Sequence, residues 1–88
     1  MELEKLRIFA AVARYGGFSA AARKLYISHS TTSRAVSALE EELGLRLFDR
    51  DNHVYGLTPA GKQLLEESEA LLRAADEAIE RVKQAAKE

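Results

Sequence analysis

The polar side chains most capable of specific hydrogen bonding lie close together in the N-terminal half of the chain. They are Ser28, His29, Ser30, Thr31, Ser33, Arg34 and Ser37. Short hydroxyl groups can approach bases or phosphates closely, and an arginine can bind guanine or a phosphate through several N–H donors. The same composition is also typical of helix caps and solvated surface. To choose between nucleic-acid contacts and ordinary helix caps or surface, we next consider the secondary-structure elements that carry these residues.

Two amphipathic helices are predicted before this polar segment. The first ends at Gly16 and Gly17. Its apolar residues at helical spacing are Leu3, Leu6, Phe9, Ala10 and Ala13. The second is shorter, and its apolar residues are Phe18, Ala21, Ala22 and Leu25. We expect Ser19 to cap this second helix, with Arg23 and Lys24 on its outer side.

The polar segment itself is predicted to lie on a third helix, capped by Ser28 and ended by Gly44. Its buried stripe is Thr32, Val36, Leu39 and Leu43. Two helices joined by a short turn form a helix-turn-helix candidate, in which the second helix enters the DNA major groove. Such helix pairs also occur in protein-interaction modules, so the spacing leaves both alternatives open. The acidic run at residues 40–42 is expected to be a solvated helix end.

A small hairpin and a long helix are predicted to complete the chain. Residues 45–50 and 54–57 are short apolar-rich segments on either side of a turn at residues 51–53. Thr58 and Pro59 form a strong helix start, with Thr58 as the N-cap and Pro59 in the first helical position. From there to the C-terminus most residues are good helix formers.

The last helix carries an apolar stripe that repeats every seven residues over three heptads. An apolar stripe of this length is typical of a helix that packs against a partner helix, so we expect a homodimer. The residues expected at the interface are Leu64, Leu65, Leu71, Leu72, Ala75, Ile79 and Val82. The alternative is a single helix that packs back on its own domain, although we expect the stripe to find no covering partner in this chain.

Composition limits the class of protein. The chain has 88 residues, of which 47% are apolar and 31% charged, too hydrophobic for a disordered tail and too charged for a membrane protein. The net charge of −1 conceals a split, because residues 1–34 hold six basic and two acidic side chains while residues 35–88 hold seven and twelve. We expect the first basic residues to lie on the same side as the polar segment, and Arg14, Arg23 and Lys24 are candidate phosphate contacts.

Catalysis is not expected. His29 and His53 are the only histidines, there is no cysteine, and no glycine-rich phosphate loop follows a strand. We therefore predict no catalytic residue, no cofactor and no metal site. No apolar run is long enough to span a bilayer and no export leader is recognisable, so a cytoplasmic location is expected.

Several blocks of sequence, taken in order, resemble the LysR-type transcriptional regulators. They are residues 18–25, 27–28, 33–34, 39–44, 47–50 and 57–61. The resemblance implies a mainly α fold, in which a winged helix-turn-helix (three helices and a two-stranded β wing, residues 1–58) precedes a long dimerising linker helix (residues 59–88). It further implies a dimer whose linker helices pair antiparallel, with each head reading half of an imperfect inverted repeat in double-stranded DNA.

The resemblance also suggests site residues. The base-reading positions of the family fall on His29, Ser30, Thr31, Ser33 and Arg34, with Ser28 and Ser37 beside them. On the wing we expect Arg50 and His53 to contact DNA, with His53 in place of the arginine that commonly enters the minor groove. The family often has Gln-Pro-Ala or Gln-Pro-Pro where this chain has residues 29–31. That difference concerns the target sequence and leaves the predicted fold unchanged.

Two further expectations follow. Proteins of this family continue into a domain that senses a small molecule, and no part of this sequence corresponds to it, so an effector is expected to act only through a domain absent from this chain. The alternative function is a dimeric winged-helix and coiled-coil module whose head binds protein.

Overall fold

The computed structural model describes residues 2–49 and 56–87. Four helices and a two-stranded sheet follow one another along the chain. The elements are α1 (Leu3–Tyr15), α2 (Phe18–Leu25), α3 (His29–Leu43), β1 (Phe48–Asp49), β2 (Gly56–Leu57) and α4 (Pro59–Ala85). The mainly α, winged helix-turn-helix fold with a long C-terminal helix is therefore confirmed.

The helix boundaries follow local signals in the sequence. Gly16 and Gly44 end α1 and α3 in the left-handed conformation, with φ of 79° and 67°, which a residue without a Cβ adopts at little cost. Ser28 and Thr58 cap α3 and α4 as predicted. The predicted cap of α2 is wrong, because the helix begins one residue before Ser19 and has Gly17 at its N-cap position, with no side-chain hydrogen bond.

Among the described residues, the first strand begins at Phe48, three residues after the start of the apolar segment predicted at residues 45–50. β1 and β2 pair antiparallel over two residues each, with Phe48 opposite Leu57 and Asp49 opposite Gly56. So short a sheet cannot be stable alone. It is held on the helices by Phe48, which is fully buried.

α1 lies at the centre of the head and packs against α2, α3 and α4. The core is closed by aromatic contacts that join distant parts of the chain. The Phe48 ring lies 5.5 Å from the Phe9 ring and 6.2 Å from the Phe18 ring, in tilted arrangements. These contacts hold α1, α2 and the strands of the wing in place relative to one another. α3 packs into the same core through Val36 and Leu39.

α4 runs antiparallel to α1. Arg7 pairs with Asp76 at 3.2 Å, and Arg14 pairs with Glu69, so two heptad-spaced contacts connect the helices. The molecule measures 54 Å along its longest axis and 25 and 19 Å across, as a long helix on a small head requires. Among the helices of residues 2–49 and 56–87, none has an apolar stretch long enough for a transmembrane span.

Candidate nucleic-acid interface

The first turn of α3 is organised by Ser28. Its Oγ accepts a hydrogen bond from the Thr31 N–H at 3.0 Å and donates one to Thr31 Oγ1 at 2.8 Å. Thr32 Oγ1, which is buried, donates to the Ser28 carbonyl at 3.0 Å. The Ser28 hydroxyl is thus used to start the helix, and Thr31 Oγ1 keeps its own proton for an outside acceptor.

The remaining polar residues form an exposed face along the N-terminal half of α3. His29, Ser30, Thr31, Arg34 and Ser37 are exposed, and Ser33 is half-buried. On the opposite face, Thr32, Val36 and Leu39 enter the core as predicted, whereas Leu43, the last residue of the predicted stripe, is exposed. The structure therefore brings the seven predicted residues of α3 together on one surface. Their contact with DNA stays a prediction.

His29 and Arg34 differ in how firmly the structure holds them. The His29 ring lies 6.0 Å from the ring of Phe18, a core residue of α2, so one side of the imidazole is supported. Arg34 has no carboxylate partner among the described residues. An unpaired guanidinium needs no ion pair to be broken before it binds an anion.

The wing residues cannot be placed on this surface. Arg50 and His53, the predicted contacts on the wing, lie outside the described residues. The strands that lead to them, β1 and β2, are anchored to the core through Phe48.

The expectation that the first basic residues share the side of the polar segment is wrong. Arg7 and Arg14 lie along α4, where Asp76 and Glu69 pair with them. Lys5 pairs with Glu2 at 3.2 Å and is 3.9 Å from Glu42. Pairing with acidic side chains offsets these charges, so they add little to any attraction for phosphate.

The cations that remain unpaired within the described residues of the basic half lie on the helix-turn-helix. They are Arg23, Lys24 and Arg34, all exposed. The Lys24 ammonium lies 5.4 Å from the centre of the Tyr15 ring, a cation–π distance. The positive charge available for an anionic ligand is therefore concentrated on α2 and α3.

One polar residue was misjudged from the sequence. Glu40 belongs to the acidic run expected to be solvated, yet it is 9% exposed, and its Oε2 accepts a hydrogen bond from the Leu47 N–H at 2.9 Å. The available signal was its position, because residue 40 follows buried Val36 by four residues, one helical turn. Glu41 and Glu42 are exposed as expected.

The heptad stripe of α4 divides into two faces. Leu64 and Leu65 pack against the core of the head, and Leu72 and Ala75 are half-buried. The expectation that nothing in the chain covers the stripe is therefore wrong for its N-terminal half. Leu71, Ile79 and Val82 remain exposed, at 50%, 51% and 70%. Dimerisation through the seven residues stays a prediction, and these three have the most apolar surface left for a partner.

Comparison with known proteins identifies the family. The family model described as bacterial regulatory helix-turn-helix protein, lysR family, matches residues 3–62, which include the whole helix-turn-helix and the start of α4. The chain belongs to the lysR family. Sequence similarity extends beyond the residues matched by the family model. The HTH-type transcriptional regulator TfdS of Cupriavidus pinatubonensis is 39% identical over 87 residues, covering 99% of this chain.

Solved structures of lysR-family proteins match the whole architecture. The BenM DNA-binding domain, crystallised with the catB site 1 DNA, superposes with a TM-score of 0.93 at 37% identity, covering 98% of this chain and 96% of that domain. Full-length CbnR, crystallised with its target DNA, matches with a TM-score of 0.88 at 37% identity over 99% of this chain. This chain corresponds to 29% of CbnR and 30% of TfdS.

Proposed function

We propose that this chain binds double-stranded DNA sequence-specifically as a homodimer and forms the DNA-reading part of a bacterial transcription regulator. α3 enters the major groove, and its exposed face, with Arg34 unpaired, reads base edges and phosphates. The wing lies at the minor groove, where Arg50 and His53 are the proposed contacts. The two heads read the halves of an imperfect inverted repeat.

The observation that carries the proposal is the exposed polar face of α3 on a fold that matches, over nearly its full length, a domain crystallised with DNA. The unpaired cations of the basic half support it, since Arg23, Lys24 and Arg34 lie on the two helices of the motif. The alternative, a head that binds protein, is not favoured by relatives that are transcriptional regulators.

We further propose a division of labour along the chain, with residues 1–58 as the DNA-binding unit and residues 59–88 as the dimerisation helix. This boundary separates two roles and not two independently packed units, because the first half of α4 also packs against the head. Leu64 and Leu65 contact the core, and Ser68 is fully buried. Leu71 near the middle of α4, and Ile79 and Val82 in its second half, are offered to the partner.

The remaining attributes follow from the same proposal. The chain acts by binding and not by catalysis, it works in the cytoplasm where bacterial DNA lies, and a small-molecule effector acts through a further domain of the whole protein. TfdS and full-length CbnR are both about three times longer than the segment matched here, which leaves room for such a domain.

The test is selection of bound duplexes from a random pool, followed by a salt titration on the selected duplex. Affinity should fall steeply as salt rises, because bound cations release counterions from the DNA. Arg34→Ala should weaken binding to the selected duplex by about 1–3 kcal/mol, the range for a specific arginine contact. Fluorescence anisotropy of a labelled duplex measures both quantities.

Arg73→Ala is the matched control, since Arg73 is also an exposed arginine and lies on α4, not on α3. It changes the net charge identically and should leave the affinity within about twofold, as expected for a residue that makes no contact. A wild-type chain that retains no duplex at low salt contradicts the proposed function. Equal affinities of the Arg34 and Arg73 variants contradict only the role given to Arg34.

A further inference from the structure

The backbone N–H and carbonyl of Leu47 link α3 to α4. The Leu47 N–H donates to Glu40 Oε2 on α3 at 2.9 Å, and the Leu47 carbonyl accepts from the Thr58 N–H at the start of α4 at 3.0 Å. The Phe48 N–H lies 3.5 Å from the same carboxylate oxygen. Glu40 and Leu47 are both buried, so these bonds are shielded from water and cannot easily be exchanged for hydration.

The start of α4 is fitted closely onto this segment. Thr58 Oγ1 donates to the Arg46 carbonyl at 2.7 Å and accepts from the Gly61 N–H at 3.0 Å. A Cβ on Gly61 would lie 2.1 Å from the Leu47 carbonyl oxygen, which means that only glycine allows this approach. We call Glu40, Leu47, Thr58 and Gly61 the Leu47 junction.

The Leu47 junction is the hydrogen-bonded link between α3 and the start of α4. α3 and α4 each pack against α1, while the Leu47 junction links the buried side of α3 to the N-cap of α4 through hydrogen bonds to the backbone of Leu47. Leu64, Leu65 and Ser68 pack the start of α4 onto the head. Farther along α4, its contacts with α1 include two ion pairs between partly exposed side chains, which resist rotation weakly.

We propose that the Leu47 junction sets the separation of the two α3 helices in the dimer, which makes Glu40 and Thr58 positioning residues for the half-site spacing of the DNA. Val82 lies about 36 Å along α4 from Thr58 at the standard rise per residue. A rotation of about 5° at the junction moves that end by roughly 3 Å, close to the rise of one base pair. The inference rests on the proposed function.

The experiment uses the selected duplex and a series in which the two half-sites are moved apart or together by one and two base pairs. The wild-type chain should prefer the selected spacing sharply. Glu40→Ala should reduce that preference at least about fivefold while its affinity for a duplex with one half-site stays within about twofold, because only the linked second contact depends on spacing. Glu40→Gln keeps an oxygen that accepts from the Leu47 N–H and should restore the preference.

Glu41→Ala is the charge-matched control, because Glu41 is the exposed neighbour of Glu40. It should retain the wild-type spacing preference. If circular dichroism shows Glu40→Ala to be unfolded, Thr58→Val replaces it, with Thr58→Ser as the variant that keeps the hydroxyl. A folded Glu40→Ala or Thr58→Val with the wild-type spacing preference overturns the inference alone, whereas a wild-type chain that binds no duplex overturns the proposed function and the inference with it.

Discussion

At the scale of single residues, Tyr26 shows how the turn between α2 and α3 constrains the chain. It has φ of 58°, the left-handed conformation, and its side chain is 95% exposed. The Tyr26 N–H is bonded to the Arg23 carbonyl, and the Ile27 N–H to the Ala22 carbonyl, which closes α2 and turns the chain towards α3. Left-handed backbone costs roughly 1–2 kcal/mol for a residue with a Cβ, and asparagine tolerates it best after glycine.

Tyr26→Asn is therefore predicted to raise the free energy of unfolding by about 1 kcal/mol, because it lowers that backbone cost while little packing is lost. Urea denaturation at a fixed protein concentration measures the change. Tyr26→Ala is the control, since alanine removes the same ring and keeps the backbone cost. An asparagine variant no more stable than the alanine variant would show that the left-handed turn carries no such cost.

At the scale of elements, α3 depends on its first turn for both its start and its exposed face. The hydrogen bonds of Ser28 to Thr31 satisfy an amide that no helical carbonyl can reach and hold the Thr31 hydroxyl in place. The Thr32 hydroxyl, bonded to the Ser28 carbonyl, fixes the same turn from the buried side. The polar face of α3 is thus built on a capped turn.

Ser28→Ala is expected to lower the free energy of unfolding by about 1 kcal/mol, the usual cost of losing an N-cap side chain. Ser30→Ala makes the same chemical change on the exposed face of α3 and should be within about 0.5 kcal/mol of the wild type. Denaturant titration measures the free energy of unfolding of each variant. Equal stability of the two variants would mean that the cap contributes nothing.

At the scale of the whole molecule, α4 is both part of the head and an arm that extends from it. The Arg7–Asp76 contact lies close to the first residue of α1, so little of α1 remains to cover the α4 residues that follow. From Asp76 to Lys87 every described residue is exposed, including Ile79 and Val82. Apolar residues exposed at heptad spacing favour burial against a second helix.

Replacing both Leu71 and Val82 with Asp is predicted to give a folded monomer, since these side chains are exposed in the single chain and a carboxylate cannot be buried unpaired at a helix interface. Analytical ultracentrifugation measures the mass, and circular dichroism verifies the helix content. Ala70→Asp places the same charge on another exposed position of α4 and should leave the dimer intact. A double variant that sediments as the wild type would place the interface elsewhere.

Most of the secondary structure could be predicted from the sequence because its determinants are local. Gly16, Gly44 and the caps at Ser28 and Thr58 act within one turn of a helix, and apolar periodicity marks the buried faces. The cap of α2 was the exception, since Ser19 has the right chemistry but lies two residues after the cap position, Gly17. The polar face of α3 could be identified for the same reason, because side chains at helical spacing share a face whatever the helix packs against.

The sequence by itself thus determined the elements, their order and the candidate residues of α3. Only the tertiary structure decided the pairing of Arg7 and Arg14 with α4, the burial of Glu40 against Leu47, and the division of the α4 stripe into an inner and an outer face. The physical reason is the same in each case. The energy of a charge or an apolar side chain depends on what lies within a few ångströms of it, and packing brings together residues such as Arg7 and Asp76 that are 69 positions apart.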